Sequence, residues 1–329
     1  MSDKRLRIGV AGAGHFGRYH ALKVAAYDRA VLAGIHDRHE ERSRTLGWEC
    51  GAPALGFSDL LAASDAVIIA TSAESHHALA AAALSAGRHV LVEKPIASTL
   101  AQADELAELA AANGRVLQVG HLERFSAAHA ALAGKIGTPL YIEAVRIAPF
   151  KPRGTDVSVI LDLMIHDLDL VLLLIDSPID GVDAVGAAVA SKHEDIANAR
   201  ISFANGAIAA ITASRISFRL ERRMRIFATE GYVNVDFVNR KLLRLTRGGG
   251  TPIAHPIAQV PGFGAAETSW EEHDSLAAEH AAFIASCLDG APVTVDAAAG
   301  RRALEAALMV SDAMRRAHDK AVASGLLHA

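Results

Sequence analysis

The first third of the chain alternates short apolar runs with longer stretches in which apolar residues recur at helical spacing. Such runs predict strands, and the stretches between them predict helices. Strands separated by helices are typical of a parallel sheet with both faces covered. The predicted strands are residues 8–11, 30–35, 65–70, 88–92 and 115–119, and the predicted helices are residues 18–28, 75–86 and 99–112.

The pattern changes near residue 121. Several of the short runs that follow are joined by turns such as Ala204-Asn205-Gly206, the hairpin style of an antiparallel sheet. The predicted elements here are strands 140–147, 182–190, 196–203, 207–213, 222–228, 232–237 and 242–246, a glycine- and proline-rich loop 248–261, and helices 270–288 and 296–318. The sequence therefore predicts an α/β protein with two domains, residues 1–121 and residues 122–329.

Three glycines follow the first predicted strand. Gly12, Gly14 and Gly17 form the pattern G-x-G-x-x-G, in which the chain turns tightly, approaches a pyrophosphate and begins a helix whose N–H groups face the phosphates. Asp37 follows the second strand, at a position from which a carboxylate can bind the adenosine ribose hydroxyls. The alternative is a glycine turn that only packs a helix on the sheet. The strand, the helix and the acid together favour a dinucleotide site.

The composition narrows the class of protein. The chain has 329 residues, of which 51% are hydrophobic and 21% charged, and its formal net charge is -4. These values give ample apolar material for two cores and no electrostatic reason to expect nucleic acid or a membrane as a partner. Cys50 and Cys287 lie far apart and fit no metal-ligand spacing, so we expect no metal site and a reduced, cytoplasmic compartment. Residues 1–4 leave no room for a signal peptide, and the longest apolar run, 170–175, is too short for a membrane span.

Polar groups follow the other predicted strands of the parallel sheet. Ligands of such a sheet bind beyond the carboxyl ends of its strands, which adds Thr71, Ser72, Lys94 and His121 to the candidate site. Thr71 and Ser72 can bond cofactor phosphates or ribose, and they can also cap a helix. His121 can be catalytic, or it can be a structural histidine under the cofactor.

Lys94 stands before a proline, which holds its backbone extended and makes the Lys94–Pro95 bond a candidate for the cis form. A lysine fixed at this edge of the sheet can bond a substrate hydroxyl and stabilise its alkoxide. The alternative is a solvated surface pair between Glu93 and Lys94.

A buried helix is predicted for residues 157–175, which are apolar nearly all the way round. Its polar exceptions fall at steps of four, four and three, which predicts one stripe of Ser158, Asp162, His166 and Asp169. Asp162 and His166 can hold a substrate hydroxyl between them, with His166 near neutrality for proton transfer. The alternative is a core network that ties the helix to an arginine such as Arg124, Arg146 or Arg153.

Several of these motifs together resemble one family. Gly12-x-Gly14-x-x-Gly17 with His20, the segment 71–76, Glu93-Lys94-Pro95 and Asp162-x-x-x-His166 are similar to motifs of the glucose–fructose oxidoreductase, inositol dehydrogenase and rhizopine-catabolism (Gfo/Idh/MocA) family. The resemblance covers nearly the whole chain. It implies that residues 1–121 are an NAD(P)-binding Rossmann domain with a doubly wound parallel sheet. It also implies that residues 122–329 are a substrate-binding α/β domain with a large, mainly antiparallel open sheet, used to assemble a homodimer or homotetramer.

The resemblance also implies an activity and a set of site residues. The activity is oxidation of a secondary sugar hydroxyl, with hydride transfer to the nicotinamide of NAD(P). The catalytic residues would be Lys94, Asp162 and His166. The cofactor-binding residues would be Gly12, Gly14, His15, Phe16, Gly17, Asp37, Arg38, Thr71, Ser72, His76, Glu93, Lys94 and His121. Met164 departs from the family pattern, because many members have glycine there, and this difference could alter the floor of the substrate pocket.

Charged residues near the predicted site affect the binding of the cofactor and of the substrate. Asp37 favours NAD, because a carboxylate repels a 2′-phosphate, while the adjacent Arg38 leaves NADP open. The substrate-binding residues would be Lys94, Asp162 and His166 together with Arg124, Lys151 and Arg153. The last three are assigned to a diphosphate, and they can equally be ordinary surface charges.

Residues 120–125 and 162–169 are more particularly similar to the nucleotide-sugar branch of the family. There, UDP-N-acetylglucosamine is oxidised at its 3-hydroxyl, and an aminotransferase later uses the 3-keto sugar for lipid A. One alternative is a dehydrogenase of a free sugar or inositol. Another is a non-catalytic dinucleotide sensor, which would have no need of Lys94, Asp162 and His166 together. A zinc-dependent dehydrogenase is disfavoured, because the cysteines are few and no histidine pair has metal-helix spacing with a suitable acid.

Overall fold

The computed structural model describes residues 4–134, 136–151, 157–247 and 263–326. The strands are β1 Leu6–Ala11, β2 Ala30–His36, β3 Ala66–Ile69, β4 His89–Glu93, β5 Leu117–Gly120, β6 Pro139–Ile147, β7 Ile179–Ala187, β8 Ile196–Phe203, β9 Ile208–Ser214, β10 Glu221–Ala228, β11 Gly231–Asp236, β12 Lys241–Arg247 and β13 Phe263–Ser269. The α-helices are α1 His15–Ala25, α2 Glu40–Cys50, α3 Phe57–Ala63, α4 Ala73–Ser85, α5 Leu100–Ala112, α6 Ala127–Leu132, α7 Ile165–Leu174, α8 Ser275–Asp289 and α9 Ala297–Ala323. A 3₁₀ turn spans Leu122–Phe125, and a π-helical turn spans Ile160–Met164.

The chain folds as two compact units. The N-terminal unit comprises Met1–Phe125 and Asp274–Leu304, and the C-terminal unit comprises Ser126–His273 and Glu305–Ala329. The first division lies four residues beyond the predicted boundary at 121. Residues 274–304, which the prediction assigned to the second domain, pack instead with the first unit, because the apolar face of α8 completes the core of that unit.

The sheet of the N-terminal unit is parallel throughout, as predicted, with strand order β2-β1-β3-β4-β5. Its central strands are buried on both faces, which is why 66–69 reads as one continuous apolar run. The core joins Val10 of β1 and Ile68 of β3 to Phe283 and Ile284 of α8, and all four side chains are buried. The order of the strands reverses between β1 and β3, which is where a sheet of this topology binds its ligands.

The C-terminal unit contains an eight-stranded sheet of order β13-β12-β11-β10-β6-β9-β8-β7. Every neighbouring pair is antiparallel except β6 and β9, so the predicted mainly antiparallel sheet is confirmed. Burial alternates along the strands. On β6, Ile142 and Ala144 are buried on one face, while Tyr141 and Glu143 lie half-buried on the other.

The structure differs from the prediction in several elements. Helices α2, α3 and α6 were not predicted, and the strand predicted at 182–190 lies at Ile179–Ala187. The strand β13 was not predicted, although it pairs with β12 along its whole length. The helix expected from residue 270 begins at Ser275, because the carboxylate of Asp274 accepts a hydrogen bond from the backbone N–H of Ala277 at 2.9 Å and caps the helix there. The continuous helix expected over 157–175 is instead a π-helical turn followed by α7. The loop predicted at 248–261 lies outside the described residues.

None of the helices in the described part of the chain is long and apolar enough to cross a membrane.

Candidate active site

The glycine loop lies between β1 and α1, at the reversal of strand order. Gly12 has φ +104, and a Cβ on it would lie 2.3 Å from the carbonyl oxygen of Ala70, just beyond β3. A Cβ on Gly17 would lie 1.8 Å from the carbonyl oxygen of Gly12. On Gly14 a Cβ would meet none of the described atoms within 4 Å. Two of the glycines therefore allow close backbone packing, and the third leaves open space in front of α1.

The start of α1 offers the backbone donors that a phosphate group needs. Gly14 is the N-cap residue and provides no side chain to satisfy the first N–H groups of the helix. His15 and Phe16 follow it, and both are exposed. An open glycine, a helix N-terminus and the adjacent strand-order reversal fit the pyrophosphate of a dinucleotide.

Asp37 directly follows β2 and is tied to the glycine loop. Its Oδ2 accepts a hydrogen bond from the backbone N–H of Ala13 at 2.7 Å, and its Oδ1 accepts one from the backbone N–H of His39 at 2.8 Å. These bonds fix the carboxylate beside the loop. The next residue, Arg38, is exposed, and its guanidinium donates to the His39 ring at 3.2 Å.

Thr71 and Ser72 lie between β3 and α4, as predicted for groups at the strand ends. Ser72 is the N-cap residue of α4, but its hydroxyl makes no capping hydrogen bond. The hydroxyls of Thr71 and Ser75 lie 2.9 Å apart. Ser72 therefore occupies the position of a helix cap, as the alternative interpretation expected, but its hydroxyl does not cap the helix.

His76 links this segment to the residues that follow β4. Its ring is buried, with Nδ1 2.7 Å from the carbonyl oxygen of Pro95 and Nε2 3.2 Å from that of Thr71. Burial lowers the pKa of His76, although hydrogen bonding to the two carbonyl groups acts in the opposite direction. The imidazole therefore fixes the backbone on both sides of it.

Glu93 and Lys94 stand at the end of β4, and the Lys94–Pro95 bond is cis. Lys94 is half-buried, and its backbone N–H donates to Glu93 Oε2 at 3.3 Å. Glu93 Oε1 lies 2.9 Å from Nε2 of the fully buried His20. Burial acts to raise the pKa of Glu93, but the hydrogen bond with His20 and the charges of His20 and Lys94 lower it below its ordinary value.

His121 and Arg124 follow β5, the last strand of this sheet. His121 is buried, and its backbone carbonyl accepts a hydrogen bond from the N–H of Arg124 at 3.1 Å. Arg124 is half-buried within the 3₁₀ turn. The residues predicted for the N-terminal half of the site thus lie at the carboxyl ends of the five strands or in the first turns of the helices that follow them.

In the C-terminal unit, Asp162 and His166 lie on either side of the change from the π-helical turn to α7. Both residues are half-buried. The backbone N–H of Ile165 bonds the carbonyl of Ile160, five residues back, so strict α-helical spacing does not hold across this segment. The single α-helical stripe from Ser158 to Asp169 is wrong for that reason.

Two arginines in the C-terminal unit bind aspartates around this segment. Arg146 and Asp167 form a buried bidentate ion pair, with Nε to Oδ2 2.7 Å and the second nitrogen to Oδ1 2.9 Å. The core network that was considered as an alternative for Asp162 and His166 therefore engages Arg146 through Asp167, a residue outside the predicted stripe. Asp169 is also buried.

Arg215 is the arginine beside Asp162. Its Nε donates to Asp195 Oδ1 at 2.8 Å, and another of its nitrogens lies 3.9 Å from Asp162 Oδ2. A further nitrogen donates to the backbone carbonyls of Val157 and Glu194 at 2.7 and 3.0 Å. The guanidinium thus binds the segment that precedes Asp162 as well as the aspartate itself.

Asp195 is fully buried opposite Arg215. Its Oδ2 accepts hydrogen bonds from three successive backbone N–H groups, those of Val189, Ala190 and Ser191, at 2.8, 2.6 and 2.9 Å. Burial acts to raise the pKa of Asp195, but these bonds and the Ser191 hydroxyl lower it well below its ordinary value. The carboxylate is an anion fixed in place.

Lys151 is exposed at the end of a described segment, and Arg153 lies outside the described residues. Sequence reasoning missed Asp195 and Arg215 in this unit, and it missed Glu279 and His280 beside Glu93 in the other. Each of these residues meets its partner from a distant part of the chain. Glu279 and His280 interrupt an otherwise apolar part of α8, which is a local signal, whereas Asp195 lies in a polar segment that gives none.

The chain is similar to known oxidoreductases along most of its length. Residues 6–121 match the model of an oxidoreductase family with an NAD-binding Rossmann fold, and residues 125–234 match the GFO/IDH/MocA C-terminal domain. UDP-N-acetylglucosamine 3-dehydrogenase of Acidithiobacillus ferrooxidans is 43% identical over 309 residues, which is 93% of this chain and 96% of that protein. A solved structure of that enzyme superposes with a TM-score of 0.87 at 42% identity, covering 94% of this chain and 97% of the other. Inositol 2-dehydrogenase of Acidothermus cellulolyticus is 34% identical over 202 residues, 56% of this chain and 58% of that protein.

Proposed function

Because the chain belongs to the Gfo/Idh/MocA family of oxidoreductases, we propose that it oxidises the 3-hydroxyl of UDP-N-acetylglucosamine with NAD. The observation that carries the proposal is the 43% identity to a UDP-N-acetylglucosamine 3-dehydrogenase along 93% of the chain. The 3-keto sugar would then be a substrate for the amination that leads to lipid A, as the sequence resemblance implies.

The residues around the glycine loop fit a dinucleotide. Gly14 leaves open space at the N-terminus of α1 for the pyrophosphate, between the exposed His15 and the loop. Asp37 would accept hydrogen bonds from the adenosine ribose and repel a 2′-phosphate, which supports NAD over NADP. Arg38 is exposed and free of any ion pair among those described, so it is the residue that could weaken this preference.

The segments after β3, β4 and β5 would complete the cofactor site. Thr71 and Ser72 would offer hydroxyls to the phosphates or ribose, and His76 would hold Thr71 and Pro95 in place through its two carbonyl contacts. Glu93 would orient Lys94, and the buried His121 would support the cofactor from below. When bound, the nicotinamide ring supplies the hydride acceptor for oxidation of the sugar carbon.

Lys94, Asp162 and His166 are proposed to act on the substrate. The ammonium of Lys94 would donate a hydrogen bond to the reacting oxygen and stabilise the negative charge that develops on it. Nδ1 of His166 is buried, so we assign Nε2 as the atom that takes the hydroxyl proton. Asp162 would orient His166 or a neighbouring sugar hydroxyl. The location of Asp162 within a π-helical turn supports this role, since such turns are frequent at functional sites.

Cations would bind the diphosphate of the nucleotide sugar. Arg124 follows the last strand of the parallel sheet, and Lys151 is exposed in the C-terminal unit. Arg153 is retained as a third candidate on its sequence position alone. An enzyme that acts on a nucleotide sugar needs such groups, whereas one that acts on a free sugar does not.

We also propose that the protein is a cytoplasmic homodimer or homotetramer that assembles through the open face of the eight-stranded sheet. The aromatic rings of Tyr141, Phe227 and Tyr232 contact one another there, with centroids 5.7 and 4.9 Å apart, and Phe227 is 40% exposed. An aromatic cluster in the middle of an open sheet face is suited to bury against a second copy.

The experiment is an assay of the purified full-length protein. NADH formation is followed with UDP-N-acetylglucosamine, UDP-N-acetylgalactosamine, UDP-glucose, free N-acetylglucosamine and myo-inositol, each with NAD and with NADP. The proposal expects the highest kcat/KM with UDP-N-acetylglucosamine and NAD. Equal or higher activity on a free sugar or inositol would favour the second candidate, which is supported by the 34% identity to an inositol 2-dehydrogenase over 56% of the chain. NAD binding without turnover of any substrate would favour the dinucleotide sensor.

A further inference from the structure

Four side chains capable of titration, three of them buried and one half-buried, meet next to Lys94 in the N-terminal unit. They come from α1, the end of β4 and α8, and they are His20, Glu93, Glu279 and His280. Nδ1 of His20 lies 2.8 Å from Nε2 of His280, and Nε2 of His20 lies 2.9 Å from Glu93 Oε1. We call these four residues the Glu93 cluster.

The geometry shows which atoms of His20 and His280 carry the protons in these two hydrogen bonds. A carboxylate only accepts hydrogen bonds, so the short contact to Glu93 requires N–H at Nε2 of His20. Nδ1 of His20 can then accept a hydrogen bond from Nε2–H of His280. Burial lowers the pKa of His280 well below its ordinary value, which keeps His280 neutral. Both hydrogen bonds therefore point towards Glu93.

Glu279 is the unusual member of the cluster. Its side chain is fully buried, and neither of its carboxyl oxygens has a hydrogen-bond partner among the described residues. Glu279, His20 and Glu93 each have one oxygen or nitrogen atom within 4.8 Å of the others. A second carboxylate anion at this distance from Glu93, away from water, would be strongly destabilising. Burial, and then the charge of Glu93, raise the pKa of Glu279 well above its ordinary value.

We propose that Glu279 is held as a neutral carboxylic acid beside the Glu93 carboxylate, and that the Glu93 cluster positions Lys94. The first half depends only on the buried geometry. The second half rests on the proposed function, in which Lys94 touches the substrate. Glu93 precedes Lys94 directly and accepts a hydrogen bond from its backbone N–H.

The surrounding residues hold the carboxylate of Glu93 in one position. A Cβ on Gly120 would lie 3.0 Å from both Cδ and Oε2 of Glu93, so β5 passes close against the carboxylate. His20 holds the other oxygen. Glu279 lies close to both residues without adding charge if it is neutral, and the charge of Lys94 is one of the causes that lower the pKa of Glu93.

Other titratable groups lie on the elements that carry the cluster or adjoin it. They are His15, Arg18, Tyr19 and Lys23 on α1; Arg7 on β1; His76 on α4; Lys94 after β4; His121 after β5; Glu123 and Arg124 in the 3₁₀ turn; and Asp274, Cys287 and Asp289 at the cap of α8 or on it. The charge that raises the pKa of Glu279 is that of Glu93. Arg7, Arg18 and Lys23 have carboxylate partners of their own: Asp65, Glu49 and Asp274.

The first experiment compares Glu279→Gln with Glu93→Gln. The midpoint of thermal unfolding is measured for both variants and for wild type between pH 4.5 and pH 8, with no substrate present, taking pH 4.5 as about the ordinary pKa of a glutamate. The exposed Glu105, which pairs with His77, supplies the control Glu105→Gln. If Glu279 is a neutral acid, the unfolding midpoint of Glu279→Gln should be at least as high as that of wild type at neutral pH.

The pH dependence has a definite sign. The raised pKa means that folded wild type retains a proton which the unfolded chain releases above about pH 4.5, so wild type loses stability relative to Glu279→Gln as the pH rises. The gap between the two should close towards pH 4.5. Glu93→Gln, which replaces the anionic acceptor of His20 with a neutral amide, should unfold at a lower temperature than wild type at neutral pH.

Two results would overturn the assignment of Glu279. One is a Glu279→Gln variant destabilised as much as Glu93→Gln at neutral pH, because Glu279 would then act as an anion. The other is a stoichiometric divalent metal in the purified wild-type protein, measured by elemental analysis, that is lost in Glu279→Gln. The cluster would in that case bind a cation in place of a proton.

The second experiment tests the positioning of Lys94 through the pH profile of kcat/KM. Loss of the Glu93 anion lowers the pKa of a neighbouring ammonium, so in Glu93→Gln the alkaline limb should move to lower pH by about 1–3 units. A variant that was merely destabilised would lose amplitude and keep the same limb. An unshifted limb in Glu93→Gln would refute the positioning role. Because the first experiment uses no substrate, failure of the proposed activity would leave its outcome intact.

Discussion

The carboxylate of Asp37 accepts a hydrogen bond from the backbone N–H of Ala13 at 2.7 Å, which ties the acid after β2 to the glycine loop after β1. The same side chain is proposed to select NAD. The proposal thus gives Asp37 two separable functions: its Oδ2 orders the loop, and its negative charge would repel a 2′-phosphate.

A pair of substitutions separates these functions. Asp37→Asn retains an acceptor for Ala13 and removes the charge, so we expect NAD binding to persist while discrimination against NADP falls. Asp37→Ser also shortens the side chain and should weaken the binding of both cofactors. Dissociation constants for NAD and NADP, measured by fluorescence titration, provide the check. An unchanged cofactor preference in both variants would argue against Asp37 as the selective residue.

Lys94→Met and His166→Asn should each lower kcat with UDP-N-acetylglucosamine by about 10²–10⁴-fold, because each removes a group that is proposed to assist proton transfer or stabilise charge in the transition state. The dissociation constant of NAD should change little for His166→Asn, since this residue lies in the other unit from the glycine loop. Lys192→Met, at an exposed lysine, is the matched control. Full turnover by both variants would refute the catalytic assignment.

Arg215→Met should lower the free energy of unfolding by about 3–5 kcal/mol, because it leaves the buried Asp195 carboxylate without its cation. Urea unfolding measures the change. The control is Arg219→Met, whose exposed guanidinium pairs with Glu221 and should cost at most about 1 kcal/mol. Similar losses for the two variants would mean that Arg215 does not stabilise the unit through Asp195.

Acid should remove the stability that Asp195 contributes. Its pKa is depressed in the folded chain, so the contribution is complete above the pKa of an unfolded aspartate and is lost as the pH falls towards the folded value. The difference in unfolding free energy between wild type and Asp195→Asn should therefore be largest at neutral pH and decrease below about pH 4. A difference that stays constant from neutral pH to pH 3 would contradict this account.

The local pattern of the sequence was sufficient for most of the fold. The run at 66–69 is apolar throughout because both faces of a central parallel strand are buried. The turn Ala204-Asn205-Gly206 predicts the hairpin formed by β8 and β9. The strand β13 was missed because 263–269 contains glycine, alanine and serine in place of alternating β-branched residues. Its conformation depends on pairing with β12, which local propensity does not report.

The candidate site was predictable wherever its residues follow strand ends, as with Asp37, Lys94 and His121. Contacts between side chains that lie far apart in the sequence could not be predicted. Arg215 meets Asp195 from 20 residues away, and His20 meets His280 from 260 residues away, and neither contact leaves a period in the sequence. The π-helical turn was not predicted because the spacing of polar residues was interpreted with the 3.6 residues per turn of an α-helix.

The return of Asp274–Leu304 to the N-terminal unit has a consequence for biosynthesis. Phe283 and Ile284 reach the hydrophobic core only after the ribosome has translated the intervening sheet, so the nucleotide-binding half cannot reach its final form while it is the sole part that has emerged. A nascent chain arrested after Phe125 would expose the apolar surface that α8 later covers. We therefore expect this surface to stay uncovered until the segment up to Asp289 has left the ribosome.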